Sequence, residues 1–564
     1  MRFRTPISIA VLVLVLVGLT SWLLRPAEPP SLSALPPLTS AVEEGASDAA
    51  IGPVERVDRA FEAHWKTNHL ETVGAASDLL VARRIALGLM GTVPSMEEVR
   101  LFESWPESER IDRYMQRVLN DQRSANYLAE RYARALVGVE PGPFLVYRRR
   151  RFVDWLSKRI HANTPHDELV RELVTATGTW TSEPESNFIT ATINQDADEE
   201  GPDEIKIAGR VARAFLGVRL DCVECHDDFL HDKWSQRNFH ELASFFGPTS
   251  AGLSGVQNED EPYEVVLKNS RGIESIPPAV PFHPELLPPA DPDASGDAAL
   301  RERLAVWITH PENRAFARAS VNRAWAILFG RPLTTTPVDE VPLEAPFPPG
   351  LEVLADDFIA HDFDLHRLFR VMAATRAFRM DSQVVDPDVA GDEEAFGAHV
   401  TPEQEEGWAA FPMTRLRPDQ VGGAILQASS LETIDASAHV IRRLARAAEQ
   451  GDFIKRFGDI GEDEFSGDGG TIPQRLVLMN GKLVDERTKK NLVMNAATRL
   501  AVLAKSDAIA VEGAYLAALS RRPSAEEATW FEGRLEGTRK NERSRELQDL
   551  YWALLNSTEF SWGH

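Results

Sequence analysis

From about residue 54 onward, apolar residues recur three and four positions apart, interrupted by short polar or Pro/Gly-rich breaks. That spacing lines apolar side chains along one face of an α-helix, so the chain is constrained to a mainly α fold with a few short strands. Helices are predicted at about 110–137, 148–162, 166–176, 299–310, 313–329, 350–361, 364–378, 416–431, 436–449, 473–480, 484–503, 508–520, 524–538 and 545–556. Ser95 and Glu98 form a capping box, in which the serine accepts from an amide three residues on and the glutamate reaches back. The helix they open carries Val99, Phe102 and Trp105 on one face. Ser524 and Glu527 after Pro523 echo Ser95 and Glu98 after Pro94, which is reused helix-start chemistry and not a repeat. Asp203 and Glu204 place acids where the macrodipole of another helix favours them. Its expected buried stripe is Ala208, Val211, Ala212, Phe215 and Leu216, and it stops near Gly217. A following helix is expected from about Gln236, burying Leu242, Phe245 and Phe246. The candidate strand lies at 262–268, and the Pro-, Gly- and Asp-rich run 247–299 reads as a domain boundary.

The chemistry concentrates between those last two helices. The only two cysteines of the chain stand as Cys222-Val223-Glu224-Cys225, with His226 directly behind. Cys-x-x-Cys-His is the arrangement through which haem c is attached: two thiols form thioethers with the vinyl groups, and the imidazole ligates the iron. On this reading Cys222 and Cys225 hold the macrocycle and His226 is an axial ligand, its other ring nitrogen donating to a carbonyl or carboxylate. Two other readings stay open: a Cys222–Cys225 disulfide outside the cytoplasm, and a metal site, for which zinc would need further ligands. His231 is the candidate sixth ligand, with His240 and Met479 behind it. For His231 and His240 the competing role is a surface or satisfied core histidine. Trp234, Phe245 and Phe246 are candidates for a pocket wall, with ordinary core as the competing role.

The formal net charge is −25. Binding phosphate needs a basic face, so nucleic acid is disfavoured as a partner, whereas a cationic redox protein is compatible. Arg2 and Arg4 precede an uncharged run from Ile7 to Leu24 that ends at Arg25. As a helix this run is about 27 Å long, close to the roughly 30 Å of a bilayer core, and it lacks a convincing small-x-small cleavage site. Residues 7–24 therefore read as an uncleaved anchor in the inner membrane, with a cleaved signal peptide as the alternative. Arg2 and Arg4 stay in the cytoplasm and the body lies in the periplasm. Haem c is attached after export, so the two lines of reasoning agree. Residues 25–53, rich in Pro, Ala and Ser, read as a spacer.

Weaker patterns carry less. His240-Glu241-Leu242-Ala243-Ser244 lacks the second histidine of a zinc-protease motif. Asp459, Glu462, Asp463, Glu464 and Asp468 crowd a glycine-rich loop whose spacing does not fit an EF-hand. Arg148 to Arg151 read as a charged helix face. No Gly-x-Ser-x-Gly elbow, P-loop or dinucleotide fingerprint is present.

Two sets of strings carry a family resemblance. The run from Arg213 through Cys222 and Cys225 to Asp227, then Asp232-Lys233-Trp234, together with Ala82 to Leu87 and Gly91 to Pro94, resembles the planctomycete-type cytochrome-c-like domain, domain of unknown function 1549. Leu304 to Asn313, Val321 to Arg331, Ile472 to Gly481 and Asp549 to Phe560 resemble its usual C-terminal companion, domain of unknown function 1553. The resemblance implies an exported haem-binding protein. Relatives often place a second histidine two residues after the motif histidine; this chain has Asp228 there, and the nearest alternative is His231. The expected organisation is an anchor or signal (1–24), a linker (25–53), a cytochrome-c-like domain (54–250), a connector (251–298) and a C-terminal helical domain (299–564). Three functions follow: one-electron transfer to a partner, a haem-dependent oxidoreductase on a small or carbohydrate-derived substrate, or a haem-free interaction scaffold with a Cys222–Cys225 disulfide.

Overall fold

The computed structural model describes residues 51–139, 147–193, 201–225, 227, 234–252, 254–259, 262–268, 270, 272–290, 298–383, 400–434, 440–458, 461, 465, 471–492 and 495–564. The expected anchor at 7–24, His226, His231 and the acidic residues of the 459–468 loop lie outside these residues. Among the described residues no helix is long and apolar enough to cross a membrane.

The fold is mainly α, with short strands in three antiparallel pairs. The first nine major helices are α1 (Pro53–Thr67), α2 (Asp78–Met90), α3 (Met96–Ser104), α4 (Arg110–Leu119), α5 (Gln122–Val137), α6 (Arg149–His161), α7 (His166–Thr175), α8 (Glu204–Val211) and α9 (Gln236–Ala243). Two hairpins follow. β1 (Thr249–Gly252) pairs with β2 (Gly255–Asn258), Thr249 opposite Asn258, and β3 (Glu264–Val265) pairs with β4 (Glu274–Ser275). Next come α10 (Ala298–Ile308), α11 (Arg314–Phe329), α12 (Leu351–Ala360) and α13 (Leu365–Ala374). The last part holds β5 (Thr414–Arg415), α14 (Pro418–Ala428), α15 (Val440–Phe457), α16 (Ile472–Asn480), α17 (Lys482–Thr488), α18 (Ala496–Leu503), α19 (Asp507–Leu519), α20 (Ala525–Leu535) and α21 (Asn541–Leu555). β6 (Trp562–Gly563) returns to pair with β5.

The local signals have physical counterparts. Ser95 Oγ accepts from Glu98 N at 3.0 Å while Ser95 N donates to the Glu98 carboxylate at 2.8 Å, and Ser524 with Glu527 repeats the box. Asp203 caps α8 by accepting from Lys206 N. Three predicted helices are each split, that at 364–378 where the Thr375 side chain accepts from Phe378 N and starts a short second helix. The 110–137 stretch breaks where the Asp121 side chain accepts from Arg123 N and so starts α5. The 484–503 stretch breaks where Asn495 Nδ2 donates to the carbonyls of Glu486 (2.9 Å) and Lys489 (2.7 Å), satisfying the end of α17. The candidate strand at 262–268 shortens to Glu264–Val265.

Helix α11 is the centre of the packing. Every residue from Ala315 to Phe329 is buried, because α2, α12, α13 and the turn Ala212–Leu216 all pack against it. A helix covered on all sides needs no polar face, and its Arg318, Asn322 and Arg323 are buried with the rest. Trp325 stacks on Phe329 with ring centroids 3.8 Å apart, and Trp408 meets it edge-on at 5.1 Å. Gly88 lets α2 approach closely: a Cβ there would stand 3.2 Å from the Leu328 carbonyl oxygen. One core takes side chains from Val57 through to Phe411, so residues on both sides of the 247–299 run share it. A second core joins residues between Leu416 and Phe560 to Leu87, Val93, Met96 and Val99. Helix α2 faces both. Buried Arg83 donates to the carbonyls of Ala518 and Phe560, and buried Arg84 to those of Phe378, Met380 and His564.

Candidate functional site

Helix α8 runs into one π-helical turn, Ala212–Leu216, closed by Gly217 in the left-handed conformation at φ +64°. The expected stripe, Ala208, Val211, Ala212, Phe215 and Leu216, is buried throughout. A Cβ at Gly217 would lie 2.9 Å from Val341 Cγ2, so both the backbone and the neighbour select glycine. Gly217→Ala is expected to destabilise the protein by about 1–3 kcal/mol, read from the urea midpoint. An unchanged midpoint would show that this turn relaxes without strain.

Beyond Gly217 the chain forms a 3₁₀ turn, Leu220–Val223. Leu220 and Val223 are buried and pin the turn to the core, which leaves Cys222, Glu224 and Cys225 facing solvent. Both cysteines are exposed and free. Gln236, at the start of α9, holds the far side: its backbone N–H donates to Asp227 Oδ1 at 2.8 Å and its Nε2 to the Glu224 carbonyl at 2.9 Å.

Charges hold the near side. Arg213 Nε donates to both oxygens of Asp221 (2.9 and 2.8 Å), the residue just before Cys222, and its Nη1 donates to Asp339 at 3.1 Å. Arg219 donates to Asp339 Oδ1 through Nε (3.0 Å) and Nη2 (2.6 Å). Burial pulls the Arg213 guanidinium down, but Asp221 and Asp339 outweigh it and hold its pKa above the ordinary arginine value. The backbone adds a tie, Val341 N donating to the Gly217 carbonyl at 2.8 Å. Beside this network lies a cleft of about 620 Å³ lined by Arg219, Arg331, Thr334, Thr336, Asp339 and Glu405. The Arg331 guanidinium sits 4.2 Å from the Trp408 ring centroid and donates to the Glu405 carbonyl.

The other sequence candidates fall elsewhere. His240 is buried, shares a 2.8 Å hydrogen bond between Nδ1 and the Tyr263 hydroxyl, and has its pKa lowered by burial. It is a satisfied core histidine. Phe245 and Phe246 are fully inside the first core, and Trp234 packs partly buried against it with Phe282 6.3 Å away. Met479 lies on the exposed side of α16. Arg149 pairs with Glu130 through two 2.9 Å hydrogen bonds, so part of the Arg148–Arg151 run is structural. Among the described residues no group of three His, Cys, Asp or Glu side chains is placed to hold a metal ion. Sequence reasoning missed Asp339 and Asn322. Arg213, Arg219 and Asp221 flank the cysteines in sequence and were visible as charges. Nothing local links Asp339 to them across more than a hundred residues.

The two exposed cysteines stand on this turn and two residues past it, on a segment tied from both sides. The site and fold together define a mainly helical protein with a surface Cys-x-x-Cys turn. Residues 56–251 match the family model described as PSCyt2, Protein of unknown function (DUF1549), and residues 300–533 match PSD1, Protein of unknown function (DUF1553). The matches stand in the order expected from the sequence strings. The cysteine turn lies in the first, and Asn322 and Asp339 lie in the second. No curated protein and no solved structure matches the chain.

Proposed function

We propose that the chain is a membrane-anchored, extracytoplasmic c-type haem protein that exchanges single electrons with a partner protein. The observation that carries this reading is the chain's sole cysteine pair, spaced Cys-x-x-Cys-His, with both cysteines exposed and free at a surface turn. Cys222 and Cys225 would hold the haem through its two vinyl groups, and His226, with His231 as a further candidate, would ligate the iron. Haem supplies a one-electron iron couple there. The chain's own residues do the positioning: Leu220 and Val223 anchor the turn, while Gln236 and the Arg213–Asp221 pair hold its two ends. A net charge of −25 suits a cationic redox partner and offers nucleic acid no basic face. Residues 7–24 hold the protein in the inner membrane, with its body in the periplasm.

Spectroelectrochemical titration tests the electron-transfer role. A single one-electron wave, with a ferrous spectrum unmoved by carbon monoxide, is the expected result. A ferrous form that takes up carbon monoxide contradicts two strong axial ligands and favours a second reading, a haem-dependent oxidoreductase acting on a small substrate. The cleft of about 620 Å³ that shares Arg219 with the cysteine turn is the observation favouring that alternative.

A further inference from the structure

We infer that Asp339 is a positioning residue for the Cys222/Cys225 turn, and that Asn322 sets Asp339 in place, so that the second family region holds the turn of the first. The inference rests on the haem reading only for what the turn carries. The geometry of the hold does not depend on it.

The chain of contacts begins on α11. Asn322 is fully buried and uses both ends of its amide: Oδ1 accepts from Leu333 N (2.9 Å) and Thr334 N (3.2 Å), while Nδ2 donates to Thr334 Oγ1 and the Val338 carbonyl (both 3.1 Å). One side chain on the most buried helix therefore folds the 333–338 loop into a fixed shape and delivers the next residue, Asp339. Asp339 is buried, and its carboxylate accepts from both arginines of the network, three donors in all, as described above. The two arginines meet the turn differently. Arg219 opens it, and its carbonyl accepts from Cys222 N at 3.4 Å. Arg213 grips Asp221, which is covalently next to Cys222.

Asp221 moves with the turn and cannot by itself hold it to anything but Arg213. Asp339 belongs to the rigid side, so it is the group that fixes both guanidiniums relative to α11. Without its charge, two neighbouring arginines would share one carboxylate and repel each other across the start of the turn. Charge-assisted hydrogen bonds among partly buried groups are the strong kind, so one missing carboxylate is enough to loosen a short turn.

Hydrogen–deuterium exchange of the full-length chain made without haem, with its cysteines reduced, tests this directly. The reporting amides are Val218, Cys222 and Glu224, which donate to Ala212, Arg219 and Asp221. Asp339→Asn is expected to speed exchange in the 218–225 peptide by about tenfold, while α8 and α11 peptides keep wild-type rates. Asp339→Glu keeps the charge and is expected to restore part of the protection. If Asp339→Asn does not fold, Arg219→Gln removes two of the three ties from the turn side, leaving the one from Arg213, and is read in the same way. Wild-type exchange across 218–225 in a folded variant overturns the inference. Failure of the wild-type chain to acquire haem overturns the proposed function instead and leaves this measurement standing.

Discussion

Cys222→Ala/Cys225→Ala is expected to abolish covalently retained haem while leaving the thermal midpoint of the haem-free chain nearly unchanged. Two thioethers are the only covalent links the proposal gives the macrocycle, so denaturation strips haem from the double variant and not from the wild type. Intact mass under denaturing conditions reads this as the presence or absence of the haem increment. Each single variant keeps one thioether and is expected to retain the increment. The side chains removed are exposed, and surface truncations of that kind shift stability by about 0.5 kcal/mol or less. The two readouts therefore separate: a total loss of cofactor against an almost silent change in folding of the haem-free chain. A double variant that fails to fold without haem would show that the sulfurs pack into the structure, against their exposed position here.

The second large effect is on acid stability. Lowering the pH from about 6.5 to about 4 is expected to cost several kcal/mol of folding free energy through buried histidines alone. Burial pushes His166 down to about 4, with nearby Arg323 acting in the same direction. Burial also pushes His366 down to about 4, against an opposing contribution from Asp364 and the Ile160 carbonyl. Both rings are neutral in folded and unfolded chains above about pH 6.5, so they impose no penalty there. As the pH falls, the unfolded chain binds the proton first and the folded chain resists until about 4, so stability drops through that window. Each ring contributes about 3 kcal/mol to the drop at its full extent. His166 stacks on Phe316 with centroids 5.6 Å apart, so His166→Phe fills the same place without a titrating group. Urea midpoints measured across the window are expected to fall less in His166→Phe than in the wild type. Identical acid limbs would contradict the assignment.

Local structure was legible wherever one residue type does one job. The capping boxes at Ser95 and Ser524, the Asp203 cap and the stop at Gly217 are short-range chemistry, and each forms as its residues indicate. The helix breaks at Asp121 and Asn495 were hidden because a side chain, not a loss of apolar spacing, ends or starts the helix there. Long-range pairing was hidden for another reason. The 247–299 run has the composition of a linker, yet Val256, Tyr263, Leu267, Ile276 and Val280 within it are buried in the first core. Composition records where a chain turns; it does not record what it turns back onto. The site shows the same division. Cys222 and Cys225 announce themselves by spacing, whereas the Asn322–Asp339 support depends on a loop folded around one buried amide.

The most direct test of the central claim is a pyridine haemochrome spectrum of the wild-type chain, produced with a haem c maturation system and extracted with acidified acetone before the reading. Porphyrin bonded through Cys222 and Cys225 stays with the protein, and the reduced spectrum is expected to show the band positions of a thioether-linked haem. A colourless protein after extraction, with the cofactor recovered in the solvent or never acquired, would contradict the account.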